Sequence, residues 1–325
     1  MFLFSIIIPV YNSEKTIEKS LKSVFNQTIQ DFEIIVVNDG STDHSLEILN
    51  KYKTAHSNMT IINQKNAGPG MARNNGIKIA KGEYISFLDA DDYWSEDFLE
   101  VVLAASNNKS ADYIYIEMVK ETVDGKIIGK TNVARNKDLS KQQMICRQMT
   151  GKMPWGMSKV IKREIISKCG GKFMELTVGE ENIFSFEALK ASKNIAFTDK
   201  VIYHYLQTEE GQHKKGDFDP WNSLVHSFKQ YLMKKGEFDE YESTINSLAV
   251  KAMTISFYRY SNGYKFFEAK KKIRESYNEY RRKYDFSNLN VDALDKTTIL
   301  IKDLSFLKLT SLIILASKYR YKRQL

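Results

Sequence analysis

Short apolar runs recur through the first hundred positions, and each is followed by a stretch with helical periodicity. Phe4-Ser5-Ile6-Ile7-Ile8 predicts a buried strand, after which Ile17, Leu21 and Val24 repeat at the spacing of a helix face that Ser13 can cap. Phe32–Val37 predicts a second strand, closed by Asn38-Asp39-Gly40. Thr42 or Asp43 then caps a helix carrying Leu46, Leu49 and Tyr52. Met59–Asn63 is a third strand, Gly70-Met71-Ala72-Arg73 opens a helix ending near Lys81-Gly82, and Tyr84–Leu88 is a fourth strand running into Asp89-Ala90-Asp91-Asp92. Alternating apolar strands and helices imply a Rossmann-like α/β fold, a mainly parallel sheet with helices on both faces. From 101 to 214 the pattern is mixed. Strands are expected at Asp112–Glu117 and Ile195–Tyr205, a hairpin-like turn at Asp124-Gly125, and helices at Gln142–Thr150 and Ile183–Leu189. From about 215 Lys, Tyr, Glu and Phe fall at helical spacing, so 215–325 is expected to be a helical appendage with its boundary near Gly211–Gly216.

Composition alters this picture chiefly at the C-terminal end. The 325 residues, 42% hydrophobic and 27% charged, suit one large α/β domain with an appendage. Of the Lys and Arg residues, 20 lie in 226–325 against 11 Asp and Glu, whereas 1–225 holds 28 against 29. The excess positive charge therefore belongs to the tail and suits an anionic partner, whether acidic lipid, nucleic acid or a phosphorylated substrate. Cys146 and Cys169 cannot form a disulfide framework and have no zinc spacing, which favours a reducing, cytoplasmic compartment. The apolar opening Met1–Val10 lacks the basic start and cleavage site of a signal peptide. No run reaches the roughly 18 apolar residues of a membrane span.

In an open parallel sheet, ligands lie beyond the C-terminal ends of the strands. Three polar clusters fall there: Tyr11-Asn12, Asp39-Gly40-Ser41 and Asp89-Ala90-Asp91-Asp92. Carboxylates brought from separate strands to one rim suit a sugar or base hydroxyl, or a hard divalent cation that uses one or two carboxylates plus substrate phosphates. The plain structural alternative is that Asp91 or Asp92 caps a helix near Ser95. The first turn, Pro9-Val10-Tyr11-Asn12-Ser13-Glu14, lacks the dinucleotide glycine fingerprint, and no Walker loop occurs. A haloacid dehalogenase-type phosphatase also carries Asp-x-Asp after a strand, but here Asp92-Tyr93 follows where that family has Thr or Val.

Four motifs then stand in order over about residues 4 to 95: Pro9-Val10-Tyr11-Asn12; Val37-Asn38-Asp39-Gly40-Ser41-Thr42-Asp43; Asn66-Ala67-Gly68 leading to Ala72-Arg73-Asn74-Asn75-Gly76; and Phe87-Leu88-Asp89-Ala90-Asp91-Asp92. Together they resemble the family 2 glycosyltransferases of the GT-A fold, of the bacterial surface-polysaccharide type. The resemblance implies a donor site at Pro9, Tyr11, Glu14, Asp39, Asn66, Arg73, Asp89 and Ala90. Tyr11 would stack on the base, Asp39 would hydrogen-bond it, and Arg73 would lie near the pyrophosphate or sugar. Asp89 would reach the ribose or metal, and Asp91 would hold Mn²⁺ or Mg²⁺, with His204 of Tyr203-His204-Tyr205 as a further metal candidate. The acidic pair of the family resembles Glu180-Glu181, with Glu181 as catalytic base where the family usually has Asp, and with Glu180 as substitute and acceptor-side residue. Trp155 of Trp155-Gly156-Met157-Ser158-Lys159 would floor the acceptor sugar.

What the resemblance implies is inverting, metal-dependent transfer from a UDP-sugar to a glycan acceptor, such as a lipid-linked intermediate, in surface polysaccharide or lipooligosaccharide synthesis. The rivals are a catalytically silent nucleotide-binding scaffold, kept open by the Glu at the base position, and the phosphatase. In the tail, Leu304, Phe306, Leu307, Leu312, Ile313 and Leu315 could form an apolar face ending in the basic cluster at 318–323. Such a helix suits an anionic bilayer at the inner face of the cell membrane, and a solvated basic end on a core-facing helix is the alternative. No nucleic-acid motif is present, and a homo-oligomer is compatible with the sequence.

Overall fold

A computed structural model describes residues 2–154, 156–174, 179–207, 220–306 and 309–315. Contacts divide the chain into two compact units, Met1–Leu139 with Pro154–Glu175 and Glu180–Lys215, and Ser140–Met153 with Leu176–Gly179 and Gly216–Leu325.

The first unit holds one sheet. Its strands are β1 (Phe4–Val10), β2 (Phe32–Asn38), β3 (Met59–Asn63), β4 (Tyr84–Phe87), β5 (Tyr93–Trp94), β6 (Tyr113–Thr122), β7 (Ile127–Lys130), β8 (Lys159–Lys162) and β9 (Ile195–Gln207). They lie in the order β3-β2-β1-β4-β8-β6-β9-β5, with β7 paired on β6. β1, β2, β3 and β4 run parallel, whereas β8 lies antiparallel between β4 and β6. Every residue of β1, β2 and β4 is buried, which is why their apolar runs show no alternation. Four-residue β8 escapes sequence reading because Lys-Val-Ile-Lys is too short for periodicity to register. Its strand form comes from the ladder groups offered by β4 and β6 on either side.

Helices α1 (Ile17–Phe25), α2 (Ser45–Ala55), α3 (Pro69–Ile79), α4 (Phe98–Ala105), α6 (Arg163–Cys169) and α7 (Glu180–Ala191) complete the unit, with α5 (Lys141–Met149) in the other. Two helices begin later than their expected caps. The Ser13 backbone N–H donates to Ser45 Oγ at 2.8 Å, and Asp43 accepts from the Glu14 and Ser45 backbone N–H groups, both at 3.0 Å. These polar groups stitch the two loops to each other, and Thr16 and His44 become the first residues flanking the helices. Likewise, neither Asp91 nor Asp92 caps a helix, since α4 starts at Phe98 behind Asp97.

Asp92 instead ties the end of β4 to β9. It is 1% exposed, and its carboxylate accepts from the Tyr203 hydroxyl at 2.7 Å and the Leu206 backbone N–H at 3.0 Å. From α1, the Ser20 hydroxyl donates to the Asp92 carbonyl at 2.6 Å, with the Ala90 carbonyl 3.0 Å from the same oxygen.

The second unit is helical. α9 (Phe238–Gly263) runs among α5, α8 (Pro220–Lys235), α10 (Phe266–Lys283) and α11 (Lys296–Phe306). Tyr241, Ile245, Leu248, Ala252, Met253 and Phe257 are buried at three-to-four-residue spacing along α9. Thr150 joins the sequence-distant segment to the helices, its hydroxyl donating to the Ala293 carbonyl at 2.8 Å and its carbonyl accepting from Lys251 Nζ at 2.6 Å. Among the described residues no helix is long and apolar enough to cross a membrane.

Replacing Tyr203 with Phe removes one donor from a buried carboxylate. It should cost about 1–3 kcal/mol, seen as a lower urea midpoint at unchanged slope.

Candidate functional site

The ends of β1, β2 and β4 form one rim. Pro9 is buried in β1, and Tyr11, just past it, is 49% exposed. Asn12 takes a left-handed φ of 48°, a conformation its short polar side chain tolerates. Its Oδ1 accepts from the Thr42 N–H at 2.8 Å, and Glu14 Oε2 accepts from the His44 N–H at 3.0 Å, so both residues brace the rim. Asp39 is 2% exposed, with its carboxylate committed to the loop after β3. Oδ1 accepts from Gln64 Nε2 and the Ala67 N–H, and Oδ2 from the Gly68 N–H, each at 2.8 Å. Asn66 stands exposed in that loop.

Arg73, on α3 and 5% exposed in its side chain, lies at the centre. Nη2 meets Asp89 Oδ1 at 2.5 Å and Nη1 meets Glu180 Oε1 at 2.9 Å, while its carbon centre sits 5.3 Å from the Phe173 ring. Burial alone would lower its pKa, but the Asp89 and Glu180 carboxylates raise it above the ordinary value, so the guanidinium stays charged. Two neighbours on α3 make the contact possible. A Cβ on Gly70 would come within 2.9 Å of the Met174 carbonyl and 3.3 Å of Glu180 Cγ. The Asn74 amide makes a two-pronged bond to the Phe173 backbone, donating to its carbonyl at 2.9 Å and accepting from its N–H at 3.0 Å.

At the end of β4, Ala90 is buried and Asp91 is exposed on the rim. Desolvation by the surrounding protein and the neighbouring Asp89 charge push the Asp91 pKa up to about 6. Asp92 is raised above its ordinary value by burial, then by Asp89 and Asp91. Among the described residues no three His, Cys, Asp or Glu side chains gather tightly enough to hold a metal unaided. A carboxylate on the rim that a second carboxylate destabilises does fit a divalent cation completing its shell with substrate phosphates.

Opposite stands the acidic pair opening α7. Glu181 is 8% exposed and accepts from the Gly156 N–H at 3.2 Å. Glu180 is raised by burial and by Glu181, and lowered in part by Arg73. Lys159, not picked out as a site residue from sequence, is 1% exposed, and its Nζ bonds Ser185 Oγ at 2.7 Å one turn beyond Glu181. Burial lowers its pKa to about 8, against an opposing pull from Glu181. Gln64 and Asn74 were also missed as site-builders. Asn74 sits inside a quoted motif, whereas nothing local marks Gln64.

His204 stacks on Tyr93 at 4.4 Å between ring centres, with Nε2 3.1 Å from Ser95 Oγ and Nδ1 3.4 Å from Glu121 Oε2. Both ring nitrogens are engaged, so metal ligation would require giving up one of these partners. Trp155 lies outside the described residues.

A curled sheet, parallel on one side and mixed on the other, with its helices is the architecture of the GT-A glycosyltransferase fold. Two solved structures share it. S. aureus TarS 1-349 in complex with UDP-GlcNAc superposes with a TM-score of 0.71 at 22% identity, covering 99% of this chain and 92% of that one. The mannosyltransferase PcManGT from Pyrobaculum calidifontis, in complex with GDP-Man and Mn²⁺, gives 0.54 at 15% identity, over 98% and 86%. Residues 5–170 match Glycosyl transferase family 2, and the chain belongs to that family, as its motifs led one to expect. It is 33% identical over 224 residues to the poly(ribitol-phosphate) beta-glucosyltransferase of Bacillus spizizenii, covering 66% of this chain and 34% of the relative. It is 29% identical over 219 residues to the Staphylococcus aureus poly(ribitol-phosphate) beta-N-acetylglucosaminyltransferase TarS, covering 66% and 37%. The chain thus spans about a third of the length of these two relatives.

The raised Asp91 pKa has a stability consequence. The folded state binds this proton more tightly than the unfolded chain, so the contribution of Asp91 to stability is full below about pH 3.8 and is lost as pH rises to about 6. Asp91→Asn should flatten part of that fall in a series of thermal midpoints against pH.

Proposed function

We propose that the chain transfers a hexosyl or N-acetylhexosaminyl group from a UDP-sugar to a glycan acceptor in bacterial surface polysaccharide or lipooligosaccharide synthesis, with inversion at the anomeric carbon. The observation that carries this reading is Arg73, whose guanidinium joins Asp89 on the nucleotide rim to Glu180 beside Glu181. One cation thereby links the place where a leaving diphosphate would sit to the place where an acceptor hydroxyl would be deprotonated. The names of the relatives, which act on poly(ribitol-phosphate), support a surface-polymer acceptor.

In this mechanism the half-exposed Tyr11 ring receives the base, and Asp39 shapes the loop against which the base edge rests. Arg73 keeps a positive charge near the developing diphosphate. Asp91, with Asp89 beside it, would hold the divalent cation, which when bound supplies a Lewis acid to the departing group. Glu181 removes the proton of the acceptor hydroxyl as that oxygen attacks the anomeric carbon from the side opposite the diphosphate. Glu181 suits the base role better than Glu180 because the Glu180 carboxylate is already held by Arg73. Glu180 then positions both Arg73 and the acceptor.

Thermal stability is the first test. UDP with Mn²⁺ at about 100 times its dissociation constant should add roughly 2.7 kcal/mol. The gain should need the metal and disappear in Asp91→Ala, while NAD should give none. A missing UDP response overturns the donor assignment.

A second test separates catalysis from binding. Glu181→Gln should keep the UDP response and lose roughly 10²–10⁴-fold in transfer rate. An unchanged rate would remove Glu181 from the base role, and wild-type donor binding without transfer to any acceptor would point to a silent nucleotide-binding scaffold.

A further inference from the structure

In the helical unit, the corner between α9 and α10 carries two adjacent exposed aromatic rings. α9 ends at Gly263, Tyr264 and Lys265 are extended, and α10 begins with Phe266 and Phe267. Phe267 is 83% exposed and Phe266 46%, their rings meeting edge-on at 5.5 Å. The buried positions of α10 are Ala269, Ile273, Ser276 and Tyr280, so Phe266 stands at the open N-terminal end of the buried stripe while Phe267 points away from it. Lys270, Lys271 and Arg274 follow Phe267 at the three-, four- and seven-residue spacings that put them on its face of the helix, and Lys265, Lys272, Glu268 and Glu275 are the other charges near this end of the sequence. Only part of this charge is answered locally. Lys271 reaches Glu275 at 3.9 Å and Lys272 lies 4.4 Å from the Tyr264 ring centre, whereas Lys265, Lys270 and Arg274 pair with no described carboxylate.

We propose that this corner is a membrane contact. Phe266 and Phe267 enter the interfacial layer of an anionic bilayer while the surrounding cations meet its headgroups. Large aromatic rings settle at that depth, and basic side chains beside them gain from the negative surface potential. Charge selects this occupant over two others. A second copy of the chain would set one basic cluster against another. A dissolved polyanion would engage the cations and leave both rings in water. A bilayer of acidic lipid uses the rings and the cations together. The contact differs in place from the tail helix expected from sequence, whose basic cluster lies outside the described residues, and it is independent of the donor-site reading.

The test is co-sedimentation of the full chain with vesicles of phosphatidylglycerol and phosphatidylcholine, beside vesicles of phosphatidylcholine alone. The chain should partition onto the anionic vesicles, less at high salt. Phe266→Ser/Phe267→Ser and Lys270→Glu/Lys271→Glu should each weaken partitioning by about tenfold or more. Phe267→Ser alone, at the more exposed position, should weaken it in the same direction. The thermal melt of each variant reports that it is folded, and its response to UDP with Mn²⁺ reports the donor site separately. Three results would overturn the proposal: no binding to anionic vesicles; binding that survives the Phe changes but is lost on deleting 304–325; or a dimer in light scattering that Phe267→Ser dissolves, which would make the corner an interface between copies.

Discussion

A guanidinium taken out of water must have its charge answered where it is buried, or the cost exceeds what the surrounding packing returns. Arg73 meets that demand with two carboxylates from distant parts of the chain, Asp89 after β4 and Glu180 at the start of α7. Much of the surrounding architecture follows from bringing those three groups together. The first turn of α3 must carry glycine at position 70, because a side chain there would collide with the Met174 carbonyl and crowd Glu180. That segment must be held at a fixed distance, and Asn74 holds it through the Phe173 backbone. The ring of Phe173 then closes over the guanidinium.

The remaining charges on the rim are unevenly balanced. Asp39 is surrounded by donors from the loop it organises, and Asp92 is buried between the Tyr203 hydroxyl and the Leu206 N–H. Asp91 has the opposite situation. It faces solvent beside Asp89 with its carboxylate pushed toward the neutral form. A position that disfavours its own charge is one that a bound cation would stabilise. Beside the acidic pair, Lys159 places a buried amine one helical turn from Glu181 and bonded to Ser185.

The helical unit is organised by burial rather than by a polar site. α9 is apolar around much of its circumference because helices pack along several of its sides, and the polar ties of Thr150 and Lys251 fix the Ser140–Met153 segment among them. Most of the basic excess of the chain falls here, and on the α9–α10 corner it surrounds aromatic rings left in water. That combination is costly for a surface with no partner, and it sets the corner apart from the solvated basic positions elsewhere on α10.

The sequence by itself determined the strand–helix order up to the end of β4, the helical texture of the C-terminal part and the family, while the boundary expected near Gly211–Gly216 lies outside the described residues. Each of these depends on side-chain periodicity or on a contiguous motif, which are local properties. Asp89, Arg73 and the Glu180-Glu181 pair were legible for the same reason. Tertiary structure decided what local pattern cannot carry. β8 is a strand because two neighbours lack a partner, not because four residues favour it. Ser13 and Asp43 are tied to Ser45 and Glu14, some thirty positions away, by bonds that no local pattern announces. His204 is occupied by Ser95 and Glu121, each more than eighty positions earlier. Above all, only the fold could make Arg73 a bridge, since a buried charge recruits its counter-charges by proximity in space, and that proximity is settled only when the sheet and α7 have come together.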